Sequence, residues 1–100
     1  MINTPTPPYY AVIFTSKRTE GDNGYSEMSE LVSEIVKSQP GFLGIESAVS
    51  EIGISVSYWK DLESIRLWQQ NADHIKAKAK GKEVWYSQYK VRIAKVEKEY

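Results

Sequence analysis

Residues 57–74 read SYWKDLESIRLWQQNADH and hold two of the three tryptophans, Trp59 and Trp68, with the only histidine, His74. An imidazole is the side chain whose charge changes near neutral pH, so His74 is the natural general base or metal ligand of this chain. Asn71 stands three residues before it and can cap a helix. Trp85 and Tyr86 are large enough to close one end of a pocket, and equally able to seal a core. Thr15 and Ser16 offer hydroxyls that could hold a substrate oxygen, or simply end a strand.

Other patterns carry less chemistry. The lysines of KAKAKGK, residues 76–82, recur at every second position and spread around a helix rather than converging on a phosphate. They suit the negative end of a helix dipole. EGDNG is acidic and would repel phosphate, and it is too poor in carboxylates for a calcium loop. There is no cysteine, which removes disulfides, thiolate nucleophiles and thiolate metal sites. No Ser/His/Asp set and no metal-ligand cluster stands out, so no metal is expected. Thirteen basic and thirteen acidic residues balance, which argues against nucleic acid and against an anionic membrane surface. No run of about 18 apolar residues is present, and the first ten residues do not read as a secretory signal, so the expected location is cytoplasmic.

The elements that must position these residues follow from apolar spacing. Residues 1–8 carry three prolines and read as an extended arm, leaving 9–100 as one domain. YYAVIFTS is β-branched and aromatic and reads as a first strand. Asp22 or Asn23 can cap a helix in which Met28, Leu31, Val32, Ile35 and Val36 form one stripe, stopped by QPG at 39–41. FLGIESAVS and ISVSYW read as two strands. In the second, Ile54, Val56 and Tyr58 share one face, with Ser55, Ser57 and Trp59 on the other. SEIG between them is a hairpin turn with Gly53 available for a positive φ. A second helix follows Asp61, with Ile65, Trp68, Ala72, Ile75 and Ala79 as its stripe and Gly81 as its end. EVWYSQY reads as an aromatic connector and KVRIAKVEKEY as the last strand.

Strand, helix, strand, strand, helix, strand is the ferredoxin-like βαββαβ order, an α+β fold. Both helices cover one face of a four-stranded antiparallel sheet. The bare apolar face needs cover, and a second copy through a two-fold contact is the simplest cover. Trp59, at the end of its strand, is a candidate for that contact.

QPGFLGIES, then ISVSYWKDLESIRLW, then a histidine a turn and a half later, resemble the antibiotic biosynthesis monooxygenase (ABM) family. The resemblance runs from Tyr10 to about Val96 and implies a dimeric α+β barrel. It also implies two chemistries. One set oxygenates aromatic polyketides without metal or flavin, by deprotonating a phenol-like substrate whose anion meets O2. The other binds and degrades haem with an asparagine on the first strand, a tryptophan on the second helix and a histidine further along it. Trp68 matches that tryptophan. The ligand would stand about ten residues later, where this chain has Lys78, and AVIFTSKR has no asparagine. Haem degradation is therefore not expected.

The position of His74 turns on the second helix. In a straight helix Trp68 and His74 point about 120° apart, and His74 faces solvent. If the helix breaks at Asn71, His74 enters the first turn of a new helix and swings towards the sheet. A helix N-terminus favours the neutral imidazole that a base requires.

The reading reached is a homodimeric, cofactor-independent monooxygenase-like protein acting with O2 on a small aromatic or quinol-type molecule. His74 is its base, Trp68 and Asn71 shape the pocket, and Thr15, Trp59, Trp85 and Tyr86 bind substrate. The alternatives are a non-catalytic dimer that holds a small ligand, haem included, and a stress-related scaffold.

Overall fold

The computed structural model describes residues 2–100, and of residues 72 and 73 the backbone alone. The strands are β1 (Tyr9–Arg18), β2 (Phe42–Val49), β3 (Gly53–Trp59) and β4 (Tyr86–Val96). The helices are α1 (Tyr25–Lys37), α2 (Leu62–Gln69) and α3 (Ala72–Lys80), and a π-helical turn, Gly81–Trp85, joins α3 to β4. The sheet order is β2-β3-β1-β4 with every neighbouring pair antiparallel. This is the expected ferredoxin-like arrangement with its second helix divided.

The registers assign the faces. Tyr10 and Val12 pack against the core of Val36, Trp59, Ile65 and Trp68, so they face the helices. Their cross-strand partners Trp59 and Ser57 on β3, and Lys95 and Ile93 on β4, share that side. Ala11, Ile13 and Thr15 face the open side with Tyr58, Val56 and Ile54. The expected split of Ile54, Val56 and Tyr58 from Ser55, Ser57 and Trp59 is present. Trp59, however, is wholly buried under the helices. It does not lie on the open face, where Tyr58 stands instead.

Three local expectations are corrected. Gly53 adopts no positive φ, because it already belongs to β3 and pairs with Val49 and Ser16. Gly24, at φ 86°, holds the N-cap of α1, and Asp22 reaches past it to accept the Ser26 N–H at 3.2 Å. The last strand begins at Tyr86, four residues before Lys90, so half of the aromatic connector is strand.

The PGF segment has a physical reason. Gly41 has φ 79°, and a Cβ there would stand 2.6 Å from the Ser64 Cβ and collide with its hydroxyl. Ser64 is fixed by Asp61, which caps α2 by accepting the Ser64 N–H at 2.8 Å and its hydroxyl at 2.7 Å. The Gly41 carbonyl in turn accepts the Lys60 N–H at 2.8 Å. The loop after α1 is thus seated against the start of α2. Gly41→Ala is expected to cost about 1–3 kcal/mol of stability. A melting curve identical to wild type would show that the seat is looser than described.

The N-terminal arm crosses one end of the sheet. Ile2 lies where a Gly44 Cβ would be, 2.8 Å from its Cγ2. The hydroxyls of Thr4 and Tyr9 both donate to Glu99 at 2.6 Å.

Candidate functional site

The break in the second helix brings His74 to Trp68. Backbone N–H groups of Gln70 and Asn71 bond the carbonyls three residues back, Leu67 and Trp68, which closes α2. Asn71 then opens α3. Its side-chain oxygen accepts the His74 N–H at 3.2 Å, and its carbonyl accepts the Ile75 N–H at 2.9 Å. The direction change cancels the 120° separation of a straight helix. The His74 ring stacks on the Trp68 indole with centroids 4.4 Å apart and planes 10° from parallel.

That stack continues inward. Trp68 lies over Trp59, centroids 6.3 Å apart, and Trp59 meets Phe42 edge-on at 5.3 Å. Trp68 is therefore a core side chain with His74 on its outer side. The Trp59 indole N–H donates to the Ser57 hydroxyl at 2.9 Å.

The same contacts set the state of the imidazole. His74 Nδ1 lies 3.2 Å from the Trp68 carbonyl oxygen, which can only accept, so Nδ1 carries the proton. The ring nitrogen able to take a further proton is Nε2. Burial, the largest influence, pulls the imidazole pKa below its ordinary value; the Trp68 carbonyl, next, opposes it, and the Lys78 charge adds a smaller downward push. His74 is neutral at pH 7.

Trp85 and Tyr86 form a second cluster. The Trp85 indole donates to the Asn23 carbonyl at 2.9 Å and meets Tyr25 edge-on at 5.7 Å. Tyr86 packs edge-on against Phe14 at 5.2 Å and Tyr25 at 6.0 Å. Burial, then a hydrogen bond with Tyr25, pushes the Tyr86 hydroxyl pKa well up, so it stays a phenol. Arg18 clamps the cluster. Its guanidinium stands 3.5 Å over the Tyr25 ring and its Nε donates to the Trp85 carbonyl at 3.1 Å.

The two clusters mark opposite ends of the helix side. Trp59 pairs with Tyr10 and Tyr86 with Arg18, eight residues or roughly 26 Å apart along β1. α3 leads from the first towards the second. It starts beside Trp68 and ends where Gly81 passes so near Tyr86 that a Cβ would stand 2.7 Å from its ring. Its principal neighbours are α1, α2 and the π-helical turn, and no strand is among them. The sheet beneath is consequently half open. Tyr89, Val91 and Ile93 of β4 each remain 47% exposed, although they share the helix side with Phe14 and Val12. This uncovered apolar strip of β4, with Phe14 beside it and Tyr86 at one end, is the floor of a candidate cleft.

The residues singled out in the sequence are thus partly assembled. His74, Trp68, Asn71 and Trp59 meet at one end, and Trp85 and Tyr86 at the other. Thr15 is not brought to them. It lies on the open face opposite Ile54, with its hydroxyl 3.5 Å from the Lys90 carbonyl. The floor residues Val91 and Ile93 were missed, although the alternation of KVRIAKV places them on one face. Among the described residues no group of three or more His, Cys, Asp or Glu could hold a metal, and no helix is long and apolar enough to cross a membrane.

The fold has close counterparts. SnoaB, a cofactor-independent oxygenase from Streptomyces nogalater, superposes with a TM-score of 0.77 at 8% identity, over 93% of this chain and 97% of that one. A Nitrosomonas europaea protein provisionally described as an antibiotic biosynthesis monooxygenase gives 0.73 at 13% identity, over 93% of each chain. The architecture is that of the ABM-type α+β proteins. In sequence, the uncharacterized Bacillus subtilis protein YqjZ is 48% identical over 98 residues, covering 96% of this chain and 86% of that protein. The chain belongs to the YqjZ family. No family model matches it.

Proposed function

We propose that this protein is a cofactor-independent oxygenase acting on a small phenolic or quinol-type aromatic, and that it works as a homodimer through the open face of its sheet. The observation that carries the enzymatic reading is the state of His74. Its Nδ1–H is committed to the Trp68 carbonyl, its pKa is lowered, and its Nε2 is left as the proton acceptor. A base of this kind converts a bound phenol to its phenolate, which is electron-rich enough to react with O2. The likeness to an oxygenase that needs no cofactor supports the same reading.

The residues divide the work. The apolar floor of Phe14, Val91 and Ile93 holds a flat ring and excludes water. His74 takes the phenolic proton. A C–O bond then forms between a ring carbon and O2, with both electrons drawn from the phenolate. Loss of the ring C–H proton and cleavage of the O–O bond leave a quinone and water, the imidazolium returning its proton to the departing oxygen. One oxygen atom enters the product and the other becomes water, so substrate and O2 balance without a further reductant.

The test is oxygen uptake by purified, metal-free protein with naphthol- and anthrone-type substrates, followed by mass analysis under labelled O2. One labelled oxygen per quinone is expected. Saturable binding of the same compounds without oxygen uptake would replace the enzyme with a ligand carrier. The structural use of the His74 ring, stacked and hydrogen-bonded to Trp68, favours that second reading.

A further inference from the structure

Where β1 finishes and β4 begins, the open face of the sheet gathers positive charge with no acid to offset it. The registers set Ile13 beside Arg92, Thr15 beside Lys90 and Lys17 beside Gln88. Arg92 and Lys90, two residues apart on one strand, stand roughly 7 Å from each other, and Lys17 lies diagonally from Lys90 at about 7–8 Å. On the other flank of Thr15 is Ile54 of β3. A depression of about 530 Å³ opens here, bordered by Thr15, Lys17, Ile52, Ile54, Lys90 and Arg92, and no acidic residue borders it. Among the described residues the ion pairs are Lys37 with Glu34 and Arg66 with Glu63, so none of these three cations is neutralised. Glu46, in the row of Arg92 on the open face, stands three strand spacings away, roughly 14 Å, and already accepts from the Tyr58 hydroxyl. The Thr15 hydroxyl reaches the Lys90 carbonyl only at 3.5 Å, the long limit of a hydrogen bond, so it is free to turn to a stronger acceptor. Ile52 and Ile54 remain half-exposed beside the cations.

We infer that this depression is a binding site for a small organic anion, an apolar body that carries a carboxylate or phosphate group. Three like charges this close repel one another, and an anion among them turns that repulsion into attraction. A concave site with cations on one side concentrates anions, and apolar side chains with a few polar groups are the usual lining of a small-molecule site. Arg92 supplies a planar fork that matches a carboxylate or a phosphate, while Lys90 and Lys17 act as point charges. Ile52 and Ile54 take the apolar body, which sets this ligand apart from a bare inorganic ion. The site is separate from His74, because Thr15 and Ile54 face away from the helices and the sheet lies between. It does not rest on the oxygenase reading. The homodimer reading covers this face with a second copy, and cover strengthens the need for an anion, since an unpaired cation withdrawn from water costs more than an exposed one.

The experiment is a calorimetric titration of the full chain with naphthoate, naphthyl phosphate, neutral naphthamide and inorganic phosphate. At least one of the two naphthyl anions is expected to bind saturably, at least tenfold more tightly than naphthamide, and the tighter one identifies the head group. Inorganic phosphate, without the apolar body, is expected to bind at least tenfold more weakly than that anion. Binding should weaken as sodium chloride is raised, because the cations border an open depression. Lys90 and Arg92 are exposed, so K90Q and R92Q are expected to keep the wild-type circular dichroism. Each is expected to weaken binding severalfold, and the two together at least tenfold. The methyl resonances of Ile52 and Ile54 should shift on titration, and those of Val91 and Ile93 on the other face should not. The absence of saturable binding, equal affinity for naphthamide, or an affinity unchanged in K90Q/R92Q would overturn the site. Shifts confined to Val91 and Ile93 would do the same, by placing the ligand under the helices. Inorganic phosphate binding as tightly as the naphthyl anion would mean an adventitious ion only, and would overturn it too. One copy supplies every residue of the site, so a protein that binds the anion but sediments as a monomer would overturn the homodimer reading and keep this one.

Discussion

Trp68→Ala is expected to lower the stability of the protein by about 3–5 kcal/mol, the usual loss when a large buried aromatic is truncated. Trp68 is the middle of a continuous stack, with Trp59 on its inner side and His74 on its outer side. Removing it leaves a void against a wholly buried indole and strips the imidazole of the surface that covers it. For a chain of this size the melting temperature should fall by roughly 12 °C or more. The His74 pKa should rise towards its ordinary value in the same variant, because burial is the first cause of its depression. Thermal unfolding checks the first effect and the imidazole proton resonance the second. An unchanged melting curve would show that Trp68 borders empty space and contributes little to the core.

His74→Gln is expected to reduce oxygenation of a phenolic substrate about 10²–10⁴-fold, the usual contribution of a positioned general base. Glutamine keeps the polarity and much of the size, so the fold should survive. In the wild-type protein the rate should be level across neutral pH and fall on the acid side, with its midpoint below the ordinary histidine value, since only the neutral ring takes a proton. The linked stability has the same sign. With the folded pKa depressed, the unfolded chain binds the proton first, so stability is full above about pH 6.5 and is lost as pH falls through the folded pKa. A pH–rate profile with steady-state kinetics on both proteins checks this. An acid limb centred above the ordinary value, or one that persists in the variant, would remove His74 as the base.

Much of the architecture was legible because it rests on alternation and stripes. The faces of β3 follow from its period of two, and Asp61 caps α2 as its residue type suggests. What escaped was set by contacts between distant segments. Gly53 looked like a turn residue, but pairing with β1 draws it into the strand. Tyr86 looked like connector, but the end of β1 recruits it. Trp59 could not be given a face without knowing that Tyr10 and Val12 lie under the helices.

The site was legible only as two alternatives. Asn71 held the signal for a break, since its side chain can replace a helical partner, but an amphipathic stripe continuing to Ala79 argued for one straight helix. The structure breaks the helix, and Ile75 leaves the stripe for a half-exposed position. The cleft itself arises because α3 packs on helices rather than strands, a relation that no local pattern records. For that reason Thr15, a hydroxyl near the end of its strand, was grouped with residues from which the sheet separates it.

The π-helical turn before β4 governs the parity of that strand. The Tyr86 N–H bonds the Gly81 carbonyl five residues back, one more than an α-helical turn would use. With side chains alternating strictly, a single residue lost from 82–84 would advance β4 by one position and invert it. Lys90 and Arg92 would then enter the apolar cleft, while Tyr89, Val91 and Ile93 would turn out to the opposite side. A change in chain length at this point thus reaches both surfaces of the sheet at once, whereas a substitution in β4 alters only one.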